Sequence, residues 1–385
     1  MPKSPQVVVP LHLTAGRSQS SAGIDACKGL ACLLIVWHHL AFYGPMSDVV
    51  HPAAPALMDW LYQYARMAVQ VFLVLGGFLS ATLLSRPGST KRWPATVCRR
   101  VLGRYQRLAP TYFSALVVAV AVSAVLRPWF GCPCVPNAPT WPQLLAHAFF
   151  LQDLTRQSSL SAGLWYVAID FQLYAAAALI CTLAQQTCHP ARWAMAAVAL
   201  LSAASLWVFN RQTSLDVTAL YFFGAYGLGM LARWAVTSKT ALPLLVLIAV
   251  LGGVALAIEF RGRVTLAWVT ALALVVAQRR SGCNGGMVNS LASPRQRWWI
   301  FTVARPVAVL AWAGSRSYAI FLIHFPACLL VNAVVSHFWP ESVAVNALGL
   351  VWAFALSVWA GALMHRAVAS RHWRQLRQPE PGLVS

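Results

Sequence analysis

Ten runs of apolar residues, each near the length that crosses a bilayer, leave this chain few ways to fold. A hydrocarbon layer about 30 Å thick takes roughly 20 residues of helix, and every backbone group at that depth needs a partner inside the protein. The runs fall at about 24–43, 66–85, 108–127, 162–184, 193–209, 215–235, 241–258, 263–278, 306–333 and 343–365. They predict an all-α, polytopic integral membrane protein with about ten transmembrane helices over residues 24–365. Short polar tails over 1–23 and 366–385 flank that single domain. The fifth and eighth runs are short, and the ninth is long enough to tilt or to include a turn. Composition agrees, with 59% hydrophobic and only 10% charged residues, where soluble domains average about 25% charged.

A formal charge of +20 would suggest nucleic acid in a soluble protein. Here it follows membrane topology instead. Only Arg66, Arg127, Arg156, Arg211, Arg261 and Arg263 of the 29 Lys and Arg fall in the alternate segments assigned outside. The positive-inside rule then puts both termini in the cytoplasm. Residues 1–23 lack the apolar core of a cleavable signal, so the first run is expected to be a retained span. The nine cysteines show no metal spacing. Cys132 and Cys134, in a Cys-Pro-Cys outer loop, are expected as free thiols because a bridge across one residue is rare. A short interfacial helix is expected near Trp141–Phe150 in the same loop.

Charges at membrane depth suggest function by default, and four stretches carry them. IDACKGLACLLIVWHHLAFY, residues 24–43, sets Lys28 and His39 eleven residues apart. They therefore lie on nearly one helix face, about 16 Å apart along the axis. Imidazole is the natural base near neutral pH, and His38 is its neighbour. Asp25, three residues before Lys28, equally suits a plain ion pair within the helix. In RYQRLAPTYF, residues 104–113, Arg104 and Arg107 lie one turn apart, and guanidinium forks there could grip phosphates. Plain topogenic charge is the alternative. LWYVAIDFQLY, residues 164–174, buries Asp170 and Gln172 in an apolar run. Asp170 needs a cationic partner, with His39 or an arginine the obvious kind. SYAIFLIHFP, residues 317–326, holds Ser317, Tyr318 and His324, the last read as a packing histidine. The pairs Gly76-Gly77 and Gly224/Gly227 read as sites of close helix packing.

In this order the stretches resemble the membrane-bound acyltransferase-3 family. Its first-span pattern D-x-L-R-G-L-A, with a histidine eleven residues past the arginine, is matched by Asp25, Lys28, Gly29 and His39. VFLVLGGFL at 71–79 is similar to its F-F-V-x-S-G-F-L. R-x-x-R-x-x-P-x-Y is matched by Arg104, Arg107, Pro110 and Tyr112. W-x-L-x-x-E-x-Q-x-Y is matched by Trp165, Asp170, Gln172 and Tyr174. S-Y-x-x-Y-L-x-H-x-P is matched by Ser317, Tyr318, Phe321, Leu322, His324 and Pro326. The departures are Lys for Arg at 28, Asp for Glu at 170, Gly for Ser at 76 and Phe for Tyr at 321.

The resemblance implies an O-acyltransferase of the bacterial inner membrane, moving an acyl group, expected to be acetyl, from cytoplasmic acyl-CoA to a hydroxyl of an exported glycan or lipid-linked oligosaccharide. It implies His39 and Asp170 as catalytic residues, and Lys28, Arg104 and Arg107 near the donor phosphates. Asp25, His38, Trp165, Gln172, Tyr174, Ser317, Tyr318 and His324 would bind substrate or support the site. Acyl-CoA enters as a substrate; no bound cofactor, metal or nucleic acid is expected, and polysaccharide assembly proteins are conceivable partners beside the lipids. A transporter or flippase of a polysaccharide precursor or acyl group is the rival reading, and a scaffold without catalysis a third.

Overall fold

The computed structural model describes residues 19–86, 92–239, 241–284 and 305–376. Lys91, residues 1–18 and 377–385 of the two tails and most of the expected inner connection over 279–305 lie outside the described residues. Within them the chain is helical, with no strand.

The first run becomes α1 (Gln19–Phe42), followed by the short α2 (Met46–Val50) and α3 (Pro55–Gln63). The larger helices are α4 (Val69–Leu84), α5 (Trp93–Leu126), α7 (Leu164–Ala184), α8 (Pro190–Trp207), α9 (Ala219–Thr237), α10 (Leu242–Ile258) and α11 (Gly262–Asn284). A helical stretch over 305–314, here α12, leads to α13 (Ser317–Phe338) and α14 (Val343–Leu376). Proline sits in the first turn of α3, α5, α8 and α10, where its missing N–H costs nothing.

All ten apolar runs are helical, yet only seven helices among the described residues are long and apolar enough to cross a membrane. These begin at Ala22, Pro55, Trp93, Leu164, Pro190, Ser317 and Val343, the second joining α3 to α4. By that measure α9, α10 and α11 fall short, α10 with 17 residues. The ninth run is not one helix. It breaks at Ser315 and Arg316 into α12 and α13.

Two glycine crossings set the frame. A Cβ on Gly77 would meet the Tyr226 carbonyl oxygen at 1.9 Å, and one on Gly229 would meet that of Val74 at 1.9 Å, so α4 and α9 touch backbone to backbone. Likewise, a Cβ on Gly29 would fall 2.0 Å from the Leu310 oxygen, and one on Gly314 would fall 1.7 Å from that of Asp25. The second crossing presses the start of α1 against α12, bringing Asp25 and Lys28 beside the break at 315–316.

The loop between α5 and α7 carries the expected interfacial helix, α6 (Trp141–Ala148), closed by a Thr140–Gln143 capping box. His147, fully buried, anchors it. Its Nε2 accepts from the Leu160 N–H at 3.3 Å, so in the neutral ring Nδ1 donates to the Tyr112 hydroxyl oxygen at 2.8 Å. Cys132 and Cys134 are joined in a disulfide, which corrects the expectation of free thiols. The turn between them closes across one proline, bringing the two Cα atoms to 5.1 Å, inside bridging range.

Candidate active site

Between α1, α4, α5, α7 and α13 lies a cavity of about 410 Å³. Asp25 and Lys28 line it from α1, and Arg104 enters from α5. Tyr166 and Asp170 come from α7, and Ser317, Tyr318 and Phe321 from α13. Six of the thirteen residues singled out in the sequence thus meet around one space. A larger cavity of about 710 Å³ near Leu84 and Trp234 is lined by no acid, base or histidine. Chemistry, not size, selects the site.

Both cations here are paired. Arg104 Nη2 donates to Asp170 Oδ2 in a close ion pair, and the guanidinium lies over the Tyr174 ring, 5.3 Å from its centroid. Asp170 therefore meets its need for a positive partner through Arg104, not through His39. Lys28 Nζ lies 3.4 Å from Asp25 Oδ1, the ion pair that the i, i+3 spacing allowed. A Cβ on Gly76 would stand 3.2 Å from Asp170 Oδ1, so the glycine that replaces the family's serine adjoins this carboxylate. Tyr318 Oη donates to the Leu108 carbonyl at 3.0 Å, and Ser317 Oγ to that of Gly314 at 2.8 Å, fixing α13 against its neighbours.

The histidines lie one layer farther along. The Phe321 ring borders the cavity and sits 5.8 Å from the His324 ring. His324 is 4.8 Å from His39, and His39 stacks on Tyr43 at 5.5 Å with planes 9° apart. Beyond Tyr43 opens a second cavity, of about 510 Å³. The imidazole pair thus forms the septum between two cavities. His324 donates from Nδ1 to the Phe321 carbonyl at 2.6 Å, which leaves the lone pair of the neutral ring on Nε2. Neither that Nε2 nor His39 Nδ1 has a hydrogen-bond partner. Buried polar atoms are rarely left so, and here two of them sit on neighbouring rings.

The other expected residues stand outside. Arg107 is exposed, its Nε bonded to the Gly103 carbonyl of its own helix at 3.0 Å, and it does not line the cavity. One turn from Arg104 along α5 is not one face toward the same space. His38 pairs Nδ1 with the Leu61 carbonyl at 3.1 Å. Trp165 packs on Phe222, and Tyr174 supports Arg104 from beneath. Gln172 keeps a buried Nε2 without a partner. Tyr166 and Tyr43 were not singled out in the sequence. Tyr166, four residues before Asp170, was detectable by helical spacing; Tyr43, at the end of its helix, left no such signal.

A family model described as "Acyltransferase domain" matches residues 21–365. Among curated proteins, "Regulator of hypoxia-inducible factor 1" of Caenorhabditis elegans is 30% identical over 147 residues. The match covers 37% of this chain and 27% of that protein, so it spans about a quarter of the relative's length. No solved structure matches.

Proposed function

The chain belongs to the acyltransferase-3 family and is a multi-pass membrane acyltransferase, and on that premise we propose that it transfers an acyl group, acetyl first among them, from cytoplasmic acyl-CoA to a hydroxyl of an exported glycan. The carrying observation is the position of His39, between two cavities and without a partner on Nδ1. A general base must come within hydrogen-bond reach of the acceptor hydroxyl whose proton it takes.

The Lys28 cavity is proposed for the acyl-pantetheine end of the donor; its volume suits a small organic group rather than whole coenzyme A. Lys28 would meet the donor phosphates after yielding its contact with Asp25. The acceptor hydroxyl gives its proton to His39, its oxygen bonds to the thioester carbonyl carbon, and the C–S bond breaks. The departing thiolate takes the proton back. His324 positions His39 by packing against its ring at 4.8 Å. Arg104 and Asp170 hold α5 to α7 and shape the wall, so Asp170 serves through Arg104 rather than by touching His39. The density of basic residues in alternate loops supports an orientation with the Lys28 end and both termini in the cytoplasm, and the family resemblance supports a bacterial inner membrane. The transporter reading gains nothing specific, since its charged lining would need unpaired groups along a continuous path.

Replacing His39 with alanine is expected to abolish acylation without loss of expression. Mass spectrometry of surface glycans from a complemented deletion strain reads this directly. Retention of a 42 Da increment in the His39→Ala strain overturns the proposal.

A further inference from the structure

The second cavity lies at the opposite end of α1 from Lys28, and its wall is already formed. Asn332, 1% exposed on α13, donates from Nδ2 to the Tyr43 carbonyl at 3.2 Å and accepts the Met46 N–H on Oδ1 at 3.1 Å. These bonds pin the turn 43–46 from both sides. The Cys132–Cys134 disulfide closes the facing turn. The lining combines Phe42, Tyr43 and Phe130 with one carboxylate, Asp48, and no lysine or arginine. Asp48 hangs over Gly44, where a Cβ would come within 2.4 Å of Oδ2, so the glycine lets the carboxylate close on the space.

We propose that this cavity, lined by Phe42, Tyr43, Asp48 and Phe130, binds a sugar ring of the acyl acceptor, which sets one of its hydroxyls against the Tyr43–His39 stack. The inference rests on the acyl-transfer reading for the identity of the bound ring's role, but binding itself is independent of it. A pyranose offers a C–H face, which aromatic rings cover by dispersion, and a rim of hydroxyl donors, which a carboxylate accepts in short charge-assisted bonds. Phosphorylated or carboxylated ligands are repelled by Asp48 with no cation to receive them. Tyr43 closes the route: its ring stands between the sugar and His39, so transfer requires Tyr43 to turn aside and admit the acceptor hydroxyl.

The test uses the full chain in lipid nanodiscs free of maltoside detergent, with methyl β-D-glucopyranoside as probe and saturation-transfer NMR as readout. The wild type is expected to bind the probe. Asp48→Ala should weaken binding about tenfold, the loss of one bond to a charged group. Asp48 is exposed, so this variant is expected to fold. Asp59→Asn, another exposed carboxylate, should bind as the wild type does. No binding by the wild type, or equal binding by Asp48→Ala, overturns the proposal. So does binding of choline in place of the glucoside, because rings with one carboxylate also suit a quaternary ammonium. Intact glucoside binding together with acylation that survives His39→Ala would leave this site standing and remove the acyl-transfer mechanism alone.

Discussion

At the scale of single residues, the ion pair of Arg104 and Asp170 decides more than either charge alone. Asp170 is nearly buried and Arg104 mostly so. Removing one partner strands the other, at a cost of about 3 kcal/mol, whereas replacing both by apolar groups of similar size is often close to neutral. Arg104→Met and Asp170→Asn are each expected to lower the thermal unfolding midpoint in detergent. The double change Arg104→Met with Asp170→Leu should recover most of that loss. Midpoints that fall additively in the double variant would contradict a mutual pair. The sequence made both residues visible, because a charge in an apolar run is rare and must be met. It did not reveal which charge meets which. Lys28 found Asp25 on its own helix, a partner that spacing predicts. Asp170 found Arg104 66 positions away, a pairing that only the packing of α5 on α7 determines.

Among the elements, the segment joining α5 to α7 carries two titratable groups pushed in opposite senses, His147 on α6 and Asp153 just beyond it. Burial lowers the His147 imidazole to about 4. Burial, with the nearby charge of Asp216, raises the Asp153 carboxyl to about 6. For His147 the unfolded chain binds the extra proton first, so stability is lost as pH falls from about 6.5 toward 4. For Asp153 the folded chain holds the proton longer, so stability is lost as pH rises from about 4 to 6. The two slopes oppose each other in the wild type. Asp153→Asn should therefore expose a fall in the unfolding midpoint on acidification. His147→Gln should show a rise over the same interval. A scan of midpoint against pH from 4 to 7 reads both, and parallel curves would contradict the assignment. The helix itself was legible as a short stretch near Trp141–Phe150. The tie of His147 to Tyr112 was not, since it joins a loop to the middle of a motif whose tyrosine is read as part of α5.

For the whole molecule, hydropathy was the best guide, although the count of ten spans is not confirmed by the seven helices that are long and apolar enough among the described residues. Ten apolar runs are ten helical stretches, but length separates spanning helices from shorter ones, and a polar pair at Ser315–Arg316 ends a helix inside one run. The site was legible as a set of motifs yet not as a place. Asp25, Lys28, Arg104, Asp170, Ser317 and Tyr318 share one cavity, while Arg107, Trp165 and Gln172, from the same motifs, do not line it. The difference is position around the helix: on α7, Trp165 stands five residues before Asp170 and Gln172 two after it, which at about 100° per residue turns both to other faces.

The file of rings from Phe321 through His324 and His39 to Tyr43 has an electrical consequence. A wall of packed rings is a poor dielectric bridge, and ions crossing it would shed their hydration at a cost of many kcal/mol. The proposed acyl transfer would then join two aqueous compartments chemically while leaving them insulated from each other. Vesicles loaded with the chain are expected to hold an imposed pH gradient about as long as empty ones, followed with a pH-sensitive dye. His39→Ala, which thins the wall by one ring, should shorten that time, and a fast leak through the unaltered protein would show that the wall is open.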